Sequence, residues 1–156
     1  MIEITIPGRG DYTIEHLLLD LNGTIALDGK IIAGVKERVI TLARNVDVIV
    51  VTADTNKNAE GLIKGLPVNL LTIHSTAEDE QKRDLVIKTG RHITVSIGNG
   101  RNDVSMLKES AMGICVIGGE GASAEAVMAS DVVVSKIHDA LDLLLKPHRL
   151  KATLRR

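Results

Sequence analysis

His16-Leu17-Leu18-Leu19-Asp20-Leu21-Asn22-Gly23-Thr24 sets a carboxylate directly behind an unbroken apolar run and directly before a glycine turn. Parallel strands are buried on both faces and read as continuous apolar runs, and ligands in such sheets bind beyond the carboxyl ends of the strands. Asp20 is therefore expected to project into a crevice, where a nucleophile would sit.

Outward from this stretch the chain alternates apolar runs with helical spacing. The predicted strand Val46–Val51 leads to a helix over Asn56–Lys64, a short strand over Asn69–Ile73 and a helix over Ala77–Thr89, with Gly90 as its stop. Strand Ile93–Ile97 leads into helix Asn102–Ser110, strand Gly113–Ile117 into helix Ala122–Ala129, and strand Asp131–Val134 into helix His138–Leu145. This alternation predicts right-handed crossovers around a central, mostly parallel sheet. The expected fold class is α/β, one doubly wound domain over residues 1–156 with its core at about 16–146.

Smaller pieces follow from local signals. Ile2–Ile6 alternates like an edge strand, and Pro7–Asp11 turns it back through Tyr12–Glu15, so residues 2–15 read as an edge hairpin. Asp28-Gly29 is a type I′ turn signal, which predicts Ile25–Leu27 and Lys30–Ile32 as a small flap above the site. Val35, Val39, Ile40 and Leu42 then recur at helical spacing. The basic stretch 147–156 reads as a solvated, frayed tail.

Three further segments end an apolar run, or open a helix, in polar groups. They are Thr52-Ala53-Asp54, Lys82 within Glu80-Gln81-Lys82-Arg83-Asp84, and Gly98-Asn99-Gly100-Arg101-Asn102-Asp103. With the Asp20 stretch they resemble, in order, the four motifs of the haloacid dehalogenase superfamily of aspartate-dependent phosphotransferases. Within it the chain looks most like the phosphorylation domain of P-type ATPases. The resemblance covers roughly His16 to Ala140, and its most specific part is the fourth motif.

The resemblance implies a HAD-like, Rossmannoid fold and a mechanism. Asp20 would attack phosphorus as a carboxylate, forming an aspartyl-phosphate that water then cleaves. Thr52 and Lys82 would donate to the phosphoryl oxygens, and Gly23 and Ala53 would let backbone amides approach them. Mg²⁺ is the implied cofactor, held by Asp20, the carbonyl of Asn22, Asn99 and Asp103.

Two positions depart from the family pattern. Asn22 stands where the phosphatases carry an Asp that protonates the leaving oxygen and activates water; the ATPases carry Thr there. Acid–base catalysis contributes about 10²–10⁴-fold, so Asn22 implies slow hydrolysis. Asn99 stands where the family has a carboxylate on Mg²⁺, which implies a weaker ion site.

The same residues also have ordinary readings. An isolated Lys at a helix start is normally solvated, and Thr52 would otherwise merely end a strand. Asp54 and Asn102 are good helix-capping types and are read as caps. His16, His74, His92, His138 and His148 show no metal-ligand spacing and are left as structural or surface residues.

The intervals Ile25–Val51 and Ala53–Gln81 leave no room for a cap domain once their own strand and helix are subtracted. The site is therefore expected to be open, covered at most by the flap or a neighbouring subunit. Together with the apolar edge Ile2, Ile4 and Ile6, this predicts a homo-oligomer, a tetramer by analogy with capless sugar-acid phosphatases that the chain resembles.

Composition excludes other classes. One Tyr, no Phe and no Trp leave almost no aromatic platform for bases, and a net charge of −1 with interspersed signs argues against a nucleic-acid face or a polybasic membrane patch. No apolar run reaches the roughly 18 residues of a membrane span, and no basic-then-apolar leader opens the chain, so a cytoplasmic location is expected. Cys115 lies in an apolar run and reads as inert packing.

Three functions compete on this reading. They are a slow Mg²⁺-dependent phosphatase or phosphotransferase acting on a small, activated phosphoryl substrate, a catalytically weak or inactive binding and regulatory protein, and a dinucleotide-binding domain. The last rests on Gly119-Glu120-Gly121-Ala122-Ser123-Ala124 and lacks the acidic residue that should end a second strand, since Asp139 and Asp142 fall in a predicted helix.

Overall fold

The computed structural model describes residues 1–53 and 58–156. The apolar run of the opening stretch becomes β3 (His16–Asp20), the third strand after β1 (Ile2–Ile6) and β2 (Gly10–Ile14). Leu17 and Leu19 pack in one core cluster and Leu18 in a second, as the two-residue period of a strand requires when both faces are covered.

The flap forms as β4 (Ala26–Leu27) and β5 (Lys30–Ile31), turned by Asp28 at φ 51° and Gly29 at φ 73°, the left-handed pair that a type I′ turn demands. Then come α1 (Val35–Leu42), β6 (Asp47–Thr52), α2 (Asn58–Ile63), β7 (Asn69–Thr72) and α3 (Glu78–Thr89). After β8 (Thr94–Gly98) a single 3₁₀ turn over Arg101–Asp103 leads into α4 (Val104–Glu109). The chain continues through β9 (Met112–Val116), α5 (Ala124–Ala129), β10 (Val132–Val134), α6 (Ile137–Leu145) and α7 (His148–Leu154).

Six strands join in the order β10-β9-β8-β3-β6-β7, every neighbouring pair parallel. From β3 the chain lays β6 and β7 to one side, then crosses to place β8, β9 and β10 on the other. The reversal falls between β3 and β8, the switch point beyond which ligands bind in such sheets. α1 and α6 pack against each other, as do α3 and α4. Val86 of α3 and Met106 of α4 cover Leu18 on the second face.

Two expectations need correction. β1 and β2 pair antiparallel as the expected hairpin, but outside the main sheet and not at its edge, and Ile4 and Ile6 are buried in the main core. The stretch 147–156 is not frayed: α7 packs on β1, Leu150 is fully buried, and the Arg156 amide donates to the Pro7 carbonyl at 3.0 Å. Apolar Leu150 and Leu154, four residues apart, give this basic helix the buried stripe that its charge count hides. Asp54 and the start of the helix predicted from Asn56 lie outside the described residues.

Candidate active site

Asp20 is the last residue of β3, at the switch point, and keeps only 7% of its surface exposed. Its carboxylate accepts from Lys82 Nζ at 2.7 Å and from Thr24 Oγ1 at 3.1 Å. Lys82 reaches it from the second turn of α3, whose Val86, one turn on, anchors the helix in the core. The same ammonium donates to Asp103 Oδ1 at 2.7 Å, so one fully buried cation sits between two carboxylates.

Asp103 is fully buried and its second oxygen accepts from the amides of Asn99 and Gly100, both at 3.0 Å. It can fold back this way because residue 98 is glycine: a Cβ there would stand 2.5 Å from the Asp103 carboxyl carbon. With its oxygens engaged by Lys82 and two amides, Asp103 anchors the lysine and the loop.

Burial pushes the Asp20 carboxyl up, Asp103 adds repulsion, and Lys82 and Thr24 pull against both, leaving it at about 7. For Lys82 burial alone would lower the ammonium, but attraction to Asp20 and Asp103 more than reverses this and raises it to about 12. The lysine is therefore a fixed charge at any physiological pH.

Beyond Asp20 opens a cleft of about 360 Å³ lined by Asn22, Thr52, Ala53, Lys82, Asn99 and Gly100 together with Glu78, Asn102 and Glu120. The expected phosphate-binding residues Thr52, Ala53 and Lys82 thus converge with Asp20. Thr52 ends β6 and is buried, beside Asp20 across the sheet. Gly23, at φ 79°, turns the chain under the cleft; a Cβ on it would meet Asn99 Nδ2 at 2.8 Å and the Glu120 carboxyl carbon at 2.9 Å.

Asn99 is not a simple carboxylate substitute. Its Nδ2 donates to the Gly121 carbonyl at 2.9 Å, which an Asp cannot do, and its Oδ1 accepts from Thr24 at 3.3 Å. Asn102, read from sequence as a cap, lies within the 3₁₀ turn and donates to Glu78 Oε2 at 2.6 Å on the cleft wall.

Glu78 and Glu120 escaped the sequence reading. Glu78 opens a helix, where acidic residues are commonplace. Glu120 did carry a signal: a polar residue between glycines just after an apolar strand, the same logic that identified Asp20. The dinucleotide fingerprint absorbed it instead. That reading fails, because the expected acidic partners lie in α6 and Asp142 is engaged by Arg38 at 2.9 Å.

Among the described residues the cleft presents the carboxylates of Asp20, Glu78 and Glu120 against the ammonium of Lys82. A phosphate dianion entering it needs further positive charge, and the donors present are hard oxygens. Such a set suits Mg²⁺ or Mn²⁺, although no cluster of three or more His, Cys, Asp or Glu with metal-binding geometry occurs among the described residues. None of its described helices is long and apolar enough to cross a membrane.

No family model matches the chain. It is 57% identical over 61 residues to Uncharacterized protein MJ0073 of Methanocaldococcus jannaschii, covering 39% of this chain and 66% of that protein. It is 28% identical over 126 residues to the Soluble P-type ATPase-like phosphatase of the same organism, covering 79% of this chain and 46% of that one. The chain thus spans under two-thirds of either relative. In fold it resembles 3-deoxy-D-manno-octulosonate 8-phosphate phosphatase from Moraxella catarrhalis, solved with magnesium ion, phosphate ion and KDO. That match has a TM-score of 0.66 and 18% identity and covers 91% of this chain and 94% of the other, which leaves no room there for a cap domain.

Proposed function

The chain is a protein of the haloacid dehalogenase fold, akin to the P-type ATPase phosphorylation domain, and on that premise we propose that it is a slow phosphoric monoester hydrolase working through an aspartyl-phosphate on Asp20. The observation that carries this reading is Asp20 itself: a carboxylate at the switch point, held by Lys82 and Thr24, and facing an open cleft.

In the proposed reaction an Asp20 oxygen bonds to phosphorus as the substrate's bridging oxygen departs with the bonding pair. Water then attacks the phosphorus and frees the Asp20 carboxylate. Two of the three Lys82 N–H groups are committed to Asp20 and Asp103, so the third is left for a phosphoryl oxygen, with Thr52 and the backbone at Ala53 on the facing strand. Asp20, the Asn22 carbonyl and Asn99 would hold Mg²⁺, which when bound neutralises phosphoryl charge.

Asn22, exposed at the cleft, cannot protonate a leaving oxygen or activate water. Good leaving groups, as in small acyl or aryl phosphates, are therefore the favoured substrates, and the phosphoenzyme is retained. A cytoplasmic location belongs to the same proposal. So does a homo-oligomer, although its first premise has gone, since the chain itself covers Ile4 and Ile6. The open cleft and the half-exposed Ile117 and Val133 near the β10 edge still favour it. Light scattering at 16.7 kDa across micromolar concentrations would remove it.

The test is turnover of an aryl and an alkyl phosphate with Mg²⁺. Aryl phosphate should be hydrolysed slowly, Asp20→Asn should abolish this, and Asn22→Asp should raise alkyl phosphate hydrolysis by about 10²-fold by supplying the missing acid and base. Metal-dependent turnover that survives Asp20→Asn would refute the mechanism, and no turnover of either substrate would favour a binding role.

A further inference from the structure

We infer that Glu120 supplies the cleft's divalent cation with the carboxylate that position 99 lacks, and that Asn99 is the residue that positions it. The inference rests on the metal-dependent reading above. Beyond its root, where the Gly118 amide donates to the Ser135 carbonyl at 2.9 Å, the loop between β9 and α5 is fastened over the site at two points, both on Asn99: its Nδ2 donates to the Gly121 carbonyl at 2.9 Å and its own carbonyl accepts from the Ser123 amide at 2.9 Å. Ser123 in turn caps α5, accepting from the Ala126 amide at 3.0 Å.

Between the fastened residues and β9, Gly118 and Gly121 take positive φ values of 60° and 80°, and Gly119 lies against the flap, where a Cβ would stand 2.7 Å from a Leu27 methyl. The chain between them has one side chain, Glu120. It is delivered to the space above Gly23, where its carboxyl carbon and the Asn99 amide nitrogen lie within 3 Å of the same would-be Cβ. An Asp at 99 would lose the donor that fastens Gly121 and leave the loop only its backbone bond from Ser123; an Asn there gives up a charge and brings one in at 120.

The exchange keeps two carboxylates, Asp20 and Glu120, on the cleft beside the Asn22 and Asn99 oxygens. Hard oxygen donors with limited charge are what Mg²⁺ and Mn²⁺ take when a substrate phosphate completes the shell.

The experiment is Mn²⁺ binding to the full chain by calorimetry and electron paramagnetic resonance, with no substrate present. Glu120→Gln should weaken Mn²⁺ by about ten-fold or more, the scale on which changes around a metal site act. Its unfolding curve should match wild type, because Glu120 is exposed. Asn99→Ala should weaken binding at least as much, because it removes both the Asn99 oxygen and the side-chain bond that fastens Gly121. Asn99→Asp introduced into Glu120→Gln should regain most of the loss, because the carboxylate returns by the other route. Unaltered Mn²⁺ affinity in Glu120→Gln, or no recovery in the double variant, would overturn the inference while leaving the phosphatase reading intact. Wild-type protein that binds no Mn²⁺ would overturn the inference and the metal-dependent reading together.

Discussion

The two walls of the cleft are built on opposite principles. On the wall formed by β3, α3 and the 3₁₀ turn after β8, Asp20, Lys82 and Asp103 are buried and held at 2.7 Å. On the wall formed by the β9–α5 loop, Glu120 is exposed, reached through glycines and fastened through the Asn99 amide and backbone. The buried wall is rigid because removing any member strands a charge out of water. The exposed wall is adjustable, because its charge remains hydrated and, beyond the backbone bond from Gly118 to Ser135 at its root, its loop is held by two neutral hydrogen bonds to Asn99. Rigidity is thus concentrated at the reacting carboxylate and adaptability at the rim.

The contrast is broken most sharply at Lys82. Lys82→Ala should reduce turnover by orders of magnitude and also destabilise the fold by about 3–5 kcal/mol, the cost of removing one partner from a buried ionic cluster. Urea denaturation and single-turnover kinetics would check both effects. The burial of Lys82 makes the stability loss unavoidable, although a motif residue at a helix start carries no such implication in sequence. Lys88, in the last turn of the same helix, is exposed, and Lys88→Ala should do little to either measurement.

A smaller effect is expected from pH. Asp20 has a raised folded value of about 7 against an ordinary 3.8, so the folded chain binds its proton more tightly than the unfolded one. Its contribution to stability is full below about 4 and is lost as pH rises through about 7. Lys82, raised from 10.5 to about 12, changes nothing in that window. Metal-free protein should therefore unfold at lower denaturant concentrations at pH 8 than at pH 5, and Asp20→Asn should flatten that slope. A slope unchanged by Asp20→Asn would assign the pH dependence to other groups.

The smallest effect belongs to an exposed ion pair just outside the cleft. Arg101 and Glu125 pair at 2.9 Å but are 82% and 60% exposed. Arg101→Ala should shift stability by less than about 1 kcal/mol in the same urea titration. A loss comparable with that of Lys82→Ala would mean that exposed pairs around the cleft are held as firmly as the buried cluster, and the contrast would fall.

Sequence by itself determined the alternation of strands and helices, because apolar period and strand-end polarity are local signals. It also placed Asp20, Thr52 and Lys82 in one site, through ordered motifs on which a parallel sheet must converge. The flap was legible because Asp28-Gly29 admits few backbone conformations. Three things were decided only by tertiary structure. Asp103 turned from the cleft to Lys82, because only packing shows that Gly98 leaves room for it to fold back. The hairpin 2–14 left the main sheet and the basic segment 148–154 became a packed helix, because each covers the other's apolar stripe and neither stripe reveals its partner. Glu120 entered the site from about 100 residues beyond Asp20, because the side-chain amide and backbone carbonyl of Asn99 hold its loop there, and hydrogen bonds between distant segments leave no periodic trace in a sequence.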